Sequence, residues 1–228
     1  MRPSNKPPSI ILFDLDNTLF DPRSFRETIF KKIGNLYAKG ARAKKITSIC
    51  QEIYDDFIRE FGFFHPDFFI KRLSAKIKES GQNKEVKKVI FDPKIIKDKI
   101  HKDTPSSLKA ISGIGVIGIF SQGEKMFQHA KIASLKHLFH KDHIYVTEDK
   151  KSSMPKVFSN IKNYRIYFID DILPMLNIAK KINPDVFTIW IKRGRYAEKQ
   201  KEIPGFVPDA TINNLKEVVE LVKKNTEA

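Results

Sequence analysis

Asp14 and Asp16 stand two residues apart, and a hydroxyl, Thr18, follows two residues later in the string Phe13-Asp14-Leu15-Asp16-Asn17-Thr18-Leu19. Residues 10–13 read Ile-Ile-Leu-Phe. Such a short, continuous apolar run is the pattern of a fully buried parallel strand. The two acids therefore fall directly past the carboxyl end of a strand, where open α/β sheets bind their ligands. Two carboxylates placed there without a partner would be costly to desolvate. They call for a cation or a reacting group.

The elements that must position these acids follow from the remaining apolar runs, at 116–120, 144–146, 166–169 and 186–191. Helical patterns lie between them. Thr104-Pro105 reads as a helix start, a capping hydroxyl before a first-turn proline. Apolar residues recur at helical spacing over 125–138, 173–182 and 215–222. Strands alternating with helices predict a parallel sheet covered on both faces. Residues 22–100 break the alternation. Phe25, Ile29, Ile33 and Leu36, then Ile46, Ile49, Ile53 and Phe57, then Phe69, Leu73 and Ile77 keep a helical period with no strand among them. The expected fold class is α/β, a Rossmann-like parallel-sheet core over 10–21 and 101–228 with an inserted α-helical cap over 22–100. A flexible N-terminus is expected over 1–9, and a turn near Phe61–Pro66.

The first string resembles the opening motif of the haloacid dehalogenase superfamily, Asp-x-Asp-x-Thr after an apolar strand. Three later segments resemble its other motifs in order: Ser121-Gln122-Gly123 after the run at 116–120, a lysine within 147–158, and Asp170-Asp171 after the run at 166–169. The resemblance implies that Asp14 attacks phosphorus as a carboxylate nucleophile. It implies that Asp16 is the general acid and then the general base. Thr18, Ser121, Gln122 and Gly123 are then the substrate-binding residues, with the start of the following helix favouring a phosphate. Lys151 is expected as the neutralising lysine, with Lys150 and Lys156 as rivals. Mg²⁺ is implied, held by Asp14, Asp16, Asp170 and Asp171, since it takes oxygen ligands. The family often carries another acid a few residues after this pair, where Met175 stands instead, so Asp171 is expected to serve. Asp16 favours phosphoryl chemistry, because the dehalogenase branch differs at this position. The implied protein is a phosphomonoester hydrolase acting on a small phosphorylated metabolite, such as phosphoglycolate, a sugar phosphate or a nucleoside monophosphate.

Composition bounds the alternatives. The net charge of +15, from 42 Lys+Arg against 27 Asp+Glu, attracts anions. The lysines are spread along the whole chain, which fits a solvated surface better than a nucleic-acid-binding arm. A phosphomutase of the same superfamily, or a basic nucleic-acid- or anion-binding protein on the same scaffold, remains as an alternative reading. Cys50 is the single cysteine. It excludes an internal disulfide and reads as a buried, inert thiol. No apolar stretch of ~18 residues occurs, so no membrane association is expected. A reducing, cytoplasmic location is expected. His137, His140 and His143 straddle a helix end and are expected to be exposed.

Overall fold

The computed structural model describes residues 7–227; segment 1–6 of the expected flexible N-terminus lies outside the described residues. Along the chain the elements are β1 (Ser9–Phe13), α1 (Pro22–Tyr37), α2 (Gly40–Phe61), α3 (Pro66–Ile77), α4 (Asn83–Ile90), α5 (Pro93–Asp98), α6 (Thr104–Ile111), β2 (Val116–Gln122), α7 (Lys125–Ile132), β3 (Ile144–Thr147), α8 (Lys150–Asn160), β4 (Arg165–Asp170), α9 (Leu173–Ile182), β5 (Phe187–Ile191), α10 (Gly194–Lys199), β6 (Ala210–Ile212) and α11 (Lys216–Glu227). The chain divides into two compact units.

Among the described residues, the first unit comprises 7–20, 101–121 and 135–227. Its six strands form one sheet in the order β3-β2-β1-β4-β5-β6. β1 is parallel to both β2 and β4, and β4, β5 and β6 continue in parallel. The chain lays strands outward from β1 on one side and then returns to build the other side from β4. The β1–β4 junction is thus the topological switch point, the place where a crevice opens at the carboxyl ends of the strands. Ile10, Ile11, Leu12 and Phe13 are fully buried, as are Phe168 and Ile169 on β4. Ile10, Leu12, Phe120, Ile166 and Phe168 pack with Met154, Val157 and Phe158 of α8 and with Leu173, Leu176 and Ala179 of α9. α6 and α11 pack against each other and bury Leu108, Ile111, Val218 and Val222. This is the α/β fold with a Rossmann-like core that the sequence predicts.

The second unit comprises 21–100 and 122–134. Six of its phenylalanines, Phe25, Phe30, Phe64, Phe69, Phe91 and Phe127, form a connected aromatic cluster. The Phe30 and Phe69 rings stack at 5.6 Å, and Phe64 meets Phe69 at 5.2 Å and Phe127 at 5.6 Å. Phe25 and Phe91 also reach Phe127, at 5.6 and 5.7 Å. The helix starts carry their own signals. Asp21 precedes Pro22 and its carboxylate accepts Ser24 N at 2.9 Å; Asp92 precedes Pro93 and accepts Lys94 N at 2.8 Å. Gly62, at φ +77°, ends α2, and α3 begins at Pro66. The sequence pattern places α7 in the sheet domain, and it packs instead in this helical unit because Phe127 joins the aromatic core. Cys50 is fully buried and its thiol is pushed up to about 12 by that burial. Among the described residues, no helix is long and apolar enough to cross a membrane.

Candidate active site

The acids gather where β1 and β4 end: Asp14 directly follows β1, Asp170 is the last residue of β4 and Asp171 follows it. Asp14 N donates to Ile169 O at 2.9 Å, so the hydrogen-bond ladder between the two strands runs straight into the acidic residues. The chain after Asp14 then doubles back. Leu19 N and Phe20 N both donate to Leu15 O, at 2.9 and 3.0 Å, and Asn17 N donates to Phe20 O at 2.8 Å. The turn needs a left-handed residue, and Asn17 supplies it at φ +59°, a conformation asparagine tolerates better than most. Its side-chain amide donates to Asp171 Oδ2 at 3.1 Å, tying the loop after β1 to the loop after β4.

Asp14, Asp170 and Asp171 each offer an oxygen within 4.8 Å of the others, and all three are buried. One ammonium meets them. Lys150 Nζ lies 2.7 Å from Asp14 Oδ1 and 2.7 Å from Asp170 Oδ2. The Phe120 and Phe168 rings flank it at 5.4 and 5.2 Å. The other oxygen of Asp170 accepts Ile172 N at 2.8 Å. Three buried carboxylates against one ammonium leave an excess of negative charge, and the ionisation follows from it. Burial, and then the charge of Asp170 and Asp14, push Asp171 up to about 9. Burial also pushes Asp14 up to about 7, with Lys150 opposing and Asp170 assisting. Burial works against the Lys150 ammonium, but its two carboxylate partners outweigh it and hold the pKa above the ordinary lysine range. Such an all-oxygen, over-acidic donor set fits a small hard divalent cation such as Mg²⁺.

The lysine at the site is Lys150 and not the expected Lys151. Asp149 caps α8 by accepting Ser152 N at 3.0 Å. That cap sets the helix phase, so that Lys150 falls on the same face as buried Met154, Val157 and Phe158. Lys151, one residue and about 100° further round, is exposed, and so is Lys156. Asp16 stands half-buried on the loop two residues after Asp14, its backbone bridged to Phe20.

Thr18 and Ser121 are buried, and neither hydroxyl finds a hydrogen-bond partner among the described residues. Buried polar groups are nearly always paired, so both hydroxyls keep unused hydrogen-bonding capacity. Ser121 is the penultimate residue of β2, which lies next to β1, where Phe13 pairs with Ile119; it thus lies at the same end of the sheet as the acids. Gln122 and Gly123 belong to the helical unit. There Gln122 O accepts Gln128 Nε2 at 2.7 Å, and Gly123 leaves room for that amide, since a Cβ would stand 2.3 Å from it. The expected anion site at the start of α7 is filled by the protein itself: Glu124 accepts Met126 N at 2.9 Å and Phe127 N at 2.7 Å. The Thr104 hydroxyl does not cap α6 either; it donates to Leu19 O at 3.2 Å. His143, expected on the surface, is buried, with Nδ1 3.1 Å from the Tyr145 hydroxyl and its ring stacked on His140 at 4.6 Å.

The state of Asp171 gives a stability test. In the unfolded chain its carboxyl ionises near 4, whereas in the metal-free fold it stays protonated up to about 9. The folded state holds the extra proton, so stability falls as pH rises between those values. Asp171→Asn removes that penalty. At pH 8 without divalent cation, it is expected to raise Tm by at least about 3 °C, the shift that ~1 kcal/mol produces in a chain of this size. At pH 4 the gain should vanish. An unchanged or lower Tm at pH 8 would show that the carboxylate is not held protonated.

No protein-family model matches the chain, and no curated protein does. Solved structures do. One from Burkholderia xenovorans, described as a haloacid dehalogenase-like hydrolase, shares 21% identity at a TM-score of 0.77, covering 93% of this chain and 98% of its own. A hydrolase of the same class from Bacillus subtilis, bound to magnesium, shares 18% at 0.63, covering 95% and 99%. The L-2-haloacid dehalogenase of Xanthobacter autotrophicus with covalently bound chloropropionic acid shares 13% at 0.60, covering 95% and 98%. The chain has the fold of the haloacid dehalogenase-like hydrolases, as the sequence resemblance implied.

Proposed function

We propose that this protein is a Mg²⁺-dependent phosphomonoester hydrolase that works through an aspartyl-phosphate on Asp14. The observation that carries this reading is the buried group of Asp14, Asp170 and Asp171 within 4.8 Å, with Lys150 bridging the first two. Asp14, Asp170 and Asp171 would hold Mg²⁺, which supplies the positive charge that keeps these carboxylates ionised and screens the phosphoryl oxygens.

Lys150 fixes one oxygen of Asp14 and keeps the nucleophile aimed. A carboxylate oxygen of Asp14 attacks phosphorus as the bond from phosphorus to the leaving oxygen breaks. Asp16 gives its proton to that oxygen, and the alcohol departs. Asp16, now a carboxylate, takes a proton from a water whose oxygen attacks the phosphoryl group. The bond to Asp14 breaks, and inorganic phosphate leaves. The Ser121 and Thr18 hydroxyls supply donors for phosphoryl oxygens. The net charge of +15 favours encounter with an anionic substrate. The substrate class is a small phosphorylated metabolite.

A second reading comes from the names of several structural neighbours, which are L-2-haloacid dehalogenases. In that reading Asp14 displaces halide from carbon. Halide departure needs neither a proton from Asp16 nor a cation, so the additional buried acids favour phosphoryl transfer. The two readings separate in one assay. Phosphate is expected from an aryl phosphate with Mg²⁺ and none with excess chelator, with no chloride from L-2-chloropropionate. Chloride release without phosphate release would reverse the assignment.

A further inference from the structure

We propose that Arg193 is a positioning residue for the nucleophile loop, acting through the backbone of Thr18; the inference rests on Asp14 being the nucleophile. Arg193 follows β5 in an extended conformation, and its side chain is only 11% exposed. One guanidinium nitrogen, Nη1, donates to Thr18 O at 2.8 Å. The other, Nη2, pairs with the carboxylate of Asp103, which also accepts Leu215 N at 2.8 Å. The next carbonyl of the loop, Leu19 O, accepts His101 N at 3.0 Å and the Thr104 hydroxyl at 3.2 Å. Two successive carbonyls behind the acids are thus gripped from outside the loop.

The neighbour of Arg193 completes the grip. Gly194, at φ +70°, lies where a Cβ would stand 3.0 Å from Asn17 Oδ1. Asn17 is the left-handed residue of the turn and the donor to Asp171. The charge of Arg193 is spent on Asp103, and its donors face a backbone carbonyl and not the acids. Its effect on chemistry therefore runs through where the loop holds Asp14 and Asp16. The planar fork offers the carboxylate and the carbonyl two separate nitrogens in fixed geometry, whereas an ammonium is a single point charge on a flexible stem and holds the loop less rigidly.

The test compares Arg193→Lys with wild type at a temperature well below both Tm values. Turnover is read as phosphate release and, in parallel, as chloride release from L-2-chloropropionate, so that an error in the substrate class does not mask an error about Arg193. The expected result is a fall in kcat of roughly 10- to 100-fold, the effect of a misplacement near 1 Å, with KM unchanged. Hydrogen exchange of the peptide spanning 14–20 should quicken by about tenfold while the rest of the first unit keeps its protection; this readout stands whatever the substrate. A neutral pair, Arg193→Gln with Asp103→Asn, avoids a buried unpaired charge if Arg193→Lys folds poorly, and should show the same loss. A merely structural arginine would lower Tm and leave kcat per folded molecule and exchange in 14–20 unchanged; that result would overturn the proposal.

Discussion

Asp14→Asn is expected to lower phosphate release by roughly 10⁴-fold or more, the scale of losing a covalent nucleophile, while leaving the fold in place. Asparagine keeps the shape of the side chain and an oxygen that can accept from Lys150, which now reaches Asp14 at 2.7 Å. What it loses is the charge and the nucleophilic oxygen. The metal-free fold should not suffer, because burial already pushes the Asp14 carboxyl up to about 7 and disfavours its ionised form. Circular dichroism and Tm should therefore match wild type within a few degrees. Activity near the wild-type level would remove Asp14 from the chemistry.

Lys150→Met is expected to damage both stability and rate. The ammonium is almost fully enclosed, with 3% of its side chain exposed, and it bridges Asp14 and Asp170. Removing it leaves three buried acids facing one another. Breaking a buried ion pair from one side costs about 3–5 kcal/mol, and at roughly 2–4 °C per kcal/mol the fall in Tm should be about 10 °C. The rate should drop by at least about 10²-fold, as for removal of one fixed electrostatic contact to the reacting group. Lys151→Met is the control. Lys151 is exposed, and a surface change of this kind shifts stability by less than ~0.5 kcal/mol. If Lys151→Met lost activity and Lys150→Met kept it, α8 would have to start one residue later and turn Lys151 toward the acids.

The contrast between these two lysines shows what a sequence does and does not disclose. β1 and β4 were legible because strands buried on both faces read as unbroken apolar runs, and Asp14 and Asp170 stand where those runs stop. The phase of α8 was harder to read. It depends on Asp149 accepting Ser152 N, and a shift of one residue at the cap brings a different lysine inward. The stripe Lys150, Met154, Val157 and Phe158 held the signal, in the form of a charged residue on an apolar face. The assignment of α7 was hidden for another reason. Its apolar spacing suits a sheet or a helical bundle equally, and only the meeting of Phe127 with Phe25, Phe64 and Phe91 decides between them. Arg193 and Asp103 join segments 90 residues apart. No local period links them.

The central claim is that Asp14 carries the phosphoryl group, and trapping that group tests it most directly. Wild-type protein mixed with an aryl phosphate and Mg²⁺, quenched in acid during turnover and digested, should yield one phosphorylated peptide, the one containing Asp14. The label should disappear with excess chelator. Phosphate release with no label on Asp14, or with the label on Ser121, would contradict the claim.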